Sequence, residues 1–205
     1  MKIAIIGTGN VGLALANSFR KANHSVVIAT RNPNSDFKNK DLILKSGLNF
    51  FETEKALSQS EVIVISTPAQ AAIDIAKNFG DVSKKIIIDT MNSVGKPPEG
   101  FTNTTDAILA NCNSVNIVKC FNTTGVENMA NPNYNGVGID MFVAGSSEKG
   151  KQIAKQLSID IGFETCYDFG GNSTFQAIEQ FAFAWINLAI IQKNGRDIAF
   201  KILKR

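Results

Sequence analysis

The stretch KIAIIGTGNVG at residues 2–12 decides the fold: a short apolar run is broken by Gly7, Gly9 and Gly12 and passes directly into a helical pattern over 10–22. Each glycine has its own reason. The first permits a tight strand-to-helix turn, the second lets the backbone approach a ligand, and the third allows the helix to pack closely on the strand. The helix that follows, with Val11, Leu15, Ser18 and Phe19 on one face, offers free N–H groups and a positive dipole end to an anion. Gly7, Thr8, Gly9, Asn10, Val11 and Gly12 are therefore candidates for cradling a pyrophosphate. The glycine spacing alone is common, and its weight comes from the strand before it and the helix after it.

Working outward, SVVIAT at 25–30, EVIVIS at 61–66 and KKIIID at 84–89 are further unbroken apolar runs, separated by helical patterns such as Ala69 to Phe79. That alternation is the mark of βαβ units, and continuous rather than alternating runs mark parallel strands covered on both faces. A weaker strand is expected near 48–51, and a helix over Thr105 to Asn111. SVNIVKCF at 114–121, MFVAGS at 141–146 and ETCYDF at 164–169 then extend the same sheet, with a helix near 148–161. The expected fold is α/β, a Rossmann-type doubly wound, mostly parallel sheet extended by further strands, with a C-terminal helical extension. One domain spans 1–205, divided into a dinucleotide-binding core (1–112), a sheet extension (113–170) and the helical extension (171–205).

That extension opens at Ser173-Thr174-Phe175-Gln176, which reads as a capping box, and runs to about residue 192. It is apolar almost all round, with Phe181, Phe183, Trp185, Ile186, Leu188, Ile190 and Ile191. Such a helix must be covered by the core or by another subunit. A homodimer through this helix is expected, anchored by Phe181 and Trp185. The connections 92–104 and 122–139, rich in Gly, Pro, Asn and Thr, exceed ordinary loop lengths and read as lids.

Composition narrows the chemistry. The 21 basic and 18 acidic residues leave a net charge of only +3, spread without a basic block, so nucleic acid is not an expected partner. No run approaches about 20 uninterrupted apolar residues and none resembles a signal peptide, so no membrane partner is expected. Three cysteines, Cys112, Cys120 and Cys166, lack metal or disulfide spacing, read as small buried hydrophobes, and suit a cytoplasmic setting. The single histidine, His24, falls in a polar turn and reads as solvated. No histidine-based triad, metal site or general acid is therefore expected, whereas hydride transfer between two redox cofactors needs none.

The second strand ends at Ala29-Thr30-Arg31-Asn32, without the acidic residue that would hold a ribose 2′-hydroxyl. Thr30 and Arg31 offer a hydroxyl and a guanidinium instead, which suit the 2′-phosphate of NADPH. Lys38 and Lys40 could add charge there, although they read first as solvated loop lysines. Three more strands end in Ser66-Thr67-Pro68, Thr90-Met91-Asn92 and Asn122-Thr123-Thr124. In a parallel sheet these share the carboxyl edge, where ligands bind. Thr67, Pro68 and Asn122 are candidates for the nicotinamide side; Thr90 and Thr124 read as turn formers, and Asn122 fits either role equally.

With these residues in place the chain resembles the NADPH-dependent coenzyme F-420 reductase family of dinucleotide-binding enzymes. The resemblance rests on IIGTGNVG (5–12), ATRNP (29–33), VISTP (64–68) and IIIDTMNSVG (86–95), and more specifically on VKCFNTTGVENMANP (118–132), DMFVAG (140–145) and the ending GRDIAFKILKR. It implies hydride transfer between NADP and the deazaflavin in a homodimer, with Gly7 to Gly12 on the pyrophosphate, Thr30 and Arg31 on the 2′-phosphate, and Thr67, Pro68 and Asn122 along the nicotinamide. The deazaflavin reductases carry a histidine after the phenylalanine of the sixth strand, where this chain has Phe121-Asn122. A flavin or another small-molecule hydride acceptor is thus an alternative to coenzyme F-420. The other readings are a pyrroline-carboxylate, imine or β-hydroxyacid reductase, which needs a larger helical second domain, and a non-catalytic NADPH sensor.

Overall fold

The central strands are apolar on both faces because both faces are covered. In the computed structural model, which describes residues 1–205, the elements in chain order are β1 (Lys2–Ile6), α1 (Asn10–Lys21), β2 (Ser25–Thr30), α2 (Lys40–Lys45), β3 (Asn49–Glu52) and α3 (Thr53–Ser58). They continue with β4 (Val62–Ile65), α4 (Ala72–Lys77), β5 (Ile86–Asp89), α5 (Thr104–Asn111), β6 (Ile117–Cys120) and α6 (Val126–Ala130). After a small hairpin, β7 (Asn133–Tyr134) and β8 (Val137–Gly138), come β9 (Asp140–Ala144), α7 (Glu148–Asp160), β10 (Thr165–Gly170) and α8 (Phe175–Ile186).

Eight strands form one sheet in the order β10-β9-β6-β5-β4-β1-β2-β3. Neighbours run parallel except β6 with β9, which are antiparallel. From β1 the chain builds first towards β2 and β3 and then, from β4, in the other direction. The crevice over the carboxyl ends of β1 and β4 is therefore the switch point where such sheets bind ligands. Strand residues alternate between two layers. Ile3, Ile5, Ile28, Val64 and Ile88 pack with Leu15 and Phe19 of α1 and Leu157 of α7. Ala4, Ile6, Ile63, Ile65 and Ile87 pack with Ala56 of α3, Ala72 and Ala76 of α4 and Ile108 of α5.

The sequence expectations for the sheet hold, and several local ones are corrected. The segment 122–139 is not a bare lid: α6 and the hairpin occupy it, and Ser18 Oγ donates to the Met129 carbonyl at 2.9 Å, fixing α6 to α1. His24 is not solvated. Its side chain is 8% exposed, with Nδ1 3.1 Å from the Met1 ammonium and Nε2 3.0 Å from Asp160 Oδ2, because the start of β1 and the end of α7 converge on that turn. Ser173 does not cap α8. A short 3-10 turn over Asn172–Thr174 precedes the helix, and it is pinned by Asn172 Oδ1, which accepts from Ser146 N at 2.7 Å. The cysteines are unpaired, and burial pushes the Cys120 thiol well above its usual value.

The helical run Asn172–Ile191 is long and apolar enough to cross a membrane by length and composition. Its inner face is held by the sheet: Phe175 and Ile178 are fully buried beside Phe142 and Ala144. Beyond Ile191 the chain folds back. Trp185 Nε1 donates to the Ile198 carbonyl at 2.7 Å, and the rings of Phe181 and Phe200 stack at 4.4 Å. Phe181 and Trp185, read from the sequence as anchors of a homodimer, thus also pack against their own chain's C-terminal segment. The large apolar residues of the run that stay exposed are Phe183, Leu188, Ile190 and Ile191.

Candidate functional site

The carboxyl edge of β1, β4 and β5 encloses an open cleft of about 330 Å³. One wall is the glycine turn, with Gly9, Asn10 and Val11; the other is the ends of β4 and β5, with Ser66, Thr67 and Pro68 and then Thr90, Met91 and Asn92, while Lys38 closes one side.

The turn is shaped by contacts that admit no side chain. Gly7 has φ +125°, and a Cβ there would lie 2.0 Å from the Ser66 carbonyl oxygen; at Gly12 it would lie 2.4 Å from the Gly7 carbonyl oxygen. These two glycines hold the strand, turn and helix together. Gly9 differs, since a Cβ there would meet nothing within 4 Å. It caps α1 with its backbone alone, and no side chain covers the helix's first N–H groups. Free amides at a helix start bordering open space suit a phosphate. Thr8 is part of the same turn, its carbonyl accepting from Asn39 Nδ2 at 2.9 Å. Asn39, in the left-handed region at φ +64°, also donates to Asn10 Oδ1 at 3.3 Å. It ties the loop after β2 to the turn, a role invisible in the sequence because the two are far apart in the chain.

Thr30 and Arg31 stand at the end of β2, outside the cleft lining. Arg31 is exposed and has no ion pair within the chain. The two lysines weighed beside it separate. Lys40 Nζ donates to the Ser35 carbonyl at 2.7 Å and sits over Phe37, so it holds its own loop; Lys38 faces the cleft, not only solvent.

On the opposite wall Thr67 Oγ1 donates to Met91 Sδ at 3.2 Å, and Thr90 Oγ1 to the Ile65 carbonyl at 2.8 Å, a turn-forming bond as expected of Thr90. Asn122 lies one residue behind the lining. It is buried and pairs with Asn92, each side-chain amide donating to the other residue: to the Asn122 carbonyl at 2.8 Å and to Asn92 Oδ1 at 3.0 Å. Its own Oδ1 is buried without a partner, an unusual state for an amide oxygen. Phe121 before it is a buried aromatic at φ +59°. Such backbone conformations are costly for bulky residues and concentrate at functional sites.

Behind this wall lies a network that sequence reasoning missed. Lys119 of β6 is fully buried, with Nζ 2.7 Å from Asp89 Oδ2, 2.9 Å from Glu179 Oε1 and 2.9 Å from the Met91 carbonyl. Asp89 also accepts from Thr104 Oγ1 and Thr105 Oγ1, and its other oxygen accepts from Met91 N at 2.8 Å. The signal was present: a lysine inside an apolar strand, an aspartate ending the next, and one glutamate in an apolar helix are each unaffordable alone and satisfied together. Around the sheet extension, hydrogen bonds to Asp168 and then Glu148 raise Lys151, and one to Glu164 raises Lys201.

Fold, glycine turn and carboxyl-edge cleft are those of a dinucleotide-binding α/β protein. More narrowly, residues 2–93 match the model of the family described as NADP oxidoreductase, coenzyme F-420-dependent, in line with the resemblance of the sequence. No protein of curated function matches the chain. Among solved structures it is similar to one from Arthrobacter sp. FB24, assigned provisionally as an F-420-dependent NADP reductase, at 24% identity and a TM-score of 0.87 over 100% of both chains. A hypothetical protein from Sinorhizobium meliloti is also 24% identical, with a TM-score of 0.73 over 100% of this chain and 96% of the other. The pyrroline carboxylate reductase of Plasmodium falciparum, solved with NADP bound, is 16% identical with a TM-score of 0.57 over 95% of this chain and 70% of that one. At these identities the solved structures establish the fold.

Proposed function

We propose that the protein transfers a hydride between NADPH and a deazaflavin- or flavin-type acceptor. The observation that carries this reading is the uncapped start of α1 opening into a cleft at the switch point, lined by neutral residues, both polar and apolar, and one lysine. Bound NADPH supplies the hydride. Gly7, Thr8, Gly9, Asn10, Val11 and Gly12 hold the pyrophosphate through backbone amides, and Gly9 leaves it room. Thr30 and Arg31 take the 2′-phosphate, with Lys38 as a second cation on the same side. Thr67 and Pro68 flank the nicotinamide. Asn122 supports Asn92 from behind, and its free oxygen can accept a carboxamide N–H when a ligand shifts that pair.

The lining residues include no carboxylate, cysteine or histidine, which favours positioning over acid–base work. The test is to incubate the protein with NADPH and, separately, FMN, FAD, riboflavin and a deazaflavin, following nicotinamide absorbance. Deuterium from the transferred position should appear in the reduced acceptor, with a chemical step nearly flat between about pH 6 and 8, where an ordinary histidine titrates. Tight NADPH binding with no oxidation by any of them would leave a sensor in place of an enzyme. A pyrroline-carboxylate or imine reductase is the weaker reading, because the lining offers no carboxylate or histidine to deliver a proton to the nitrogen of a reduced imine.

NADPH is expected to bind about 10- to 100-fold more tightly than NADH, the worth of one charge-assisted hydrogen bond of about 1.5–3 kcal/mol from Arg31. Arg31→Ala should remove most of that preference and leave NADH affinity unchanged; equal affinities in the unmutated protein would refute the assignment. We further propose a cytoplasmic homodimer in which Phe183, Leu188, Ile190 and Ile191 are covered by a second copy. Sedimentation at micromolar concentration should show a dimer, and Ile190→Glu a monomer; a monomer in both cases would remove this part of the reading.

A further inference from the structure

We propose that Glu179 of α8 is a positioning residue for hydride transfer, acting by clamping both ends of the strap 94–103 and so fixing the wall of the cleft; this rests on the reading above. One carboxylate reaches both ends of a segment with no helix or strand of its own. Ser93 N donates to Glu179 Oε2 at 2.9 Å and Thr104 N donates to Oε1 at 3.3 Å. Between them the chain reads VGKPPEGFTN, rich in turn residues, and it crosses to Gln70 Nε2 through the Lys96 carbonyl at 2.6 Å.

Ser93 directly follows Met91 and Asn92, which line the cleft. Glu179 therefore acts on that wall twice: on Ser93 N directly, and on the Met91 carbonyl through the Lys119 ammonium that both share. Glu179 is 5% exposed, and its hydrogen-bond and ion-pair partners, Ser93, Thr104 and Lys119, stand behind the lining residues. A carboxylate suits the site because the two N–H donors meet different oxygens, Oε2 and Oε1, and in an amide one of these positions would itself be an NH2 donor. The clamp also explains why an otherwise apolar helix carries an acidic residue on its inner face. The position of α8 and the shape of the cleft wall are thereby one mechanical unit.

The experiment compares the intact protein with Glu179→Gln and Glu179→Asp by hydrogen–deuterium exchange, NADPH titration and turnover with the acceptor found active. Glu179→Gln should speed exchange in peptides spanning 90–104 by about tenfold or more, the worth of a lost charge-assisted bond, and leave 175–186 unchanged. It should lower turnover more than NADPH affinity, since the glycine turn still anchors the phosphates. Glu179→Asp keeps both acceptor oxygens and should restore most of the protection and rate. The proposal is overturned if 90–104 is unchanged in Glu179→Gln, if 175–186 loosens equally, if affinity falls as much as rate, or if Asp does no better than Gln. Should the unmutated protein not bind NADPH, the functional reading fails, while the exchange comparison still decides the clamp.

Discussion

Replacing Lys119 with methionine is expected to lower the unfolding midpoint on the order of 10 °C. The ammonium is fully buried and stands between two carboxylates, Asp89 at 2.7 Å and Glu179 at 2.9 Å. Removing it leaves both without their cation, and breaking a buried ion pair in this way costs about 3–5 kcal/mol. The carboxylates keep some support, since Thr105 Oγ1 donates to Asp89 at 2.7 Å and Ser93 N to Glu179 at 2.9 Å. Asp89→Asn and Glu179→Gln introduced together with Lys119→Met should recover part of the loss, because the penalty arises from charge and not from volume. Thermal unfolding by circular dichroism measures both. A midpoint within about 2 °C of the unmutated protein, a change below 1 kcal/mol at this chain length, would show that the network contributes little.

The second large effect separates two glycines of the same turn. Gly9→Ala should leave the unfolding midpoint unchanged, since its Cβ would project into open space. It should nevertheless weaken NADPH binding by about two powers of ten, or about 2.8 kcal/mol, because the methyl group stands where the pyrophosphate must approach the backbone. Gly7→Ala should damage both. At φ +125° with the Ser66 carbonyl oxygen 2.0 Å from the new carbon, the turn must open, at a cost of about 1–3 kcal/mol from backbone strain alone. Titration and thermal melting on the two variants make the comparison. Unchanged NADPH affinity in Gly9→Ala would remove the pyrophosphate from this turn.

The strands and the glycine turn were legible because their causes are local. A parallel strand covered on both faces shows an unbroken apolar run, as in VIVI at 62–65, and a strand-to-helix turn under steric pressure shows its glycines in fixed spacing. The candidates on the carboxyl edge were legible for the same reason: once strand direction is known, the residues ending each strand share an edge, and Thr67, Pro68 and Asn92 do line the cleft. The short helices α2 and α3, six residues each, carried too few turns for a period to show. The expected capping box at Ser173 failed because the 3-10 turn there is held by Ser146, a residue distant in the chain whose competition no local pattern records.

The sheet, its winding and the edge that bears the cleft follow from periodicity, glycine sterics and strand direction, all of them legible along the chain. Only the tertiary structure decided which side chains are held by which. Asn122 was an even choice between ligand contact and turn former, and it proves to stand behind Asn92 with a free oxygen. His24 became a buried partner of Asp160, and Trp185 became part of its own subunit's core. Lys119, Asp89 and Glu179 come from three elements; each stands out in the sequence as a charge among apolar residues, but only folding shows that they partner one another. The physical reason is common to all of them: the energy of a buried polar group depends on a partner brought near by folding, and that partner can be 136 residues away, as Asp160 is from His24, or on another strand, beyond any spacing that a linear pattern can express.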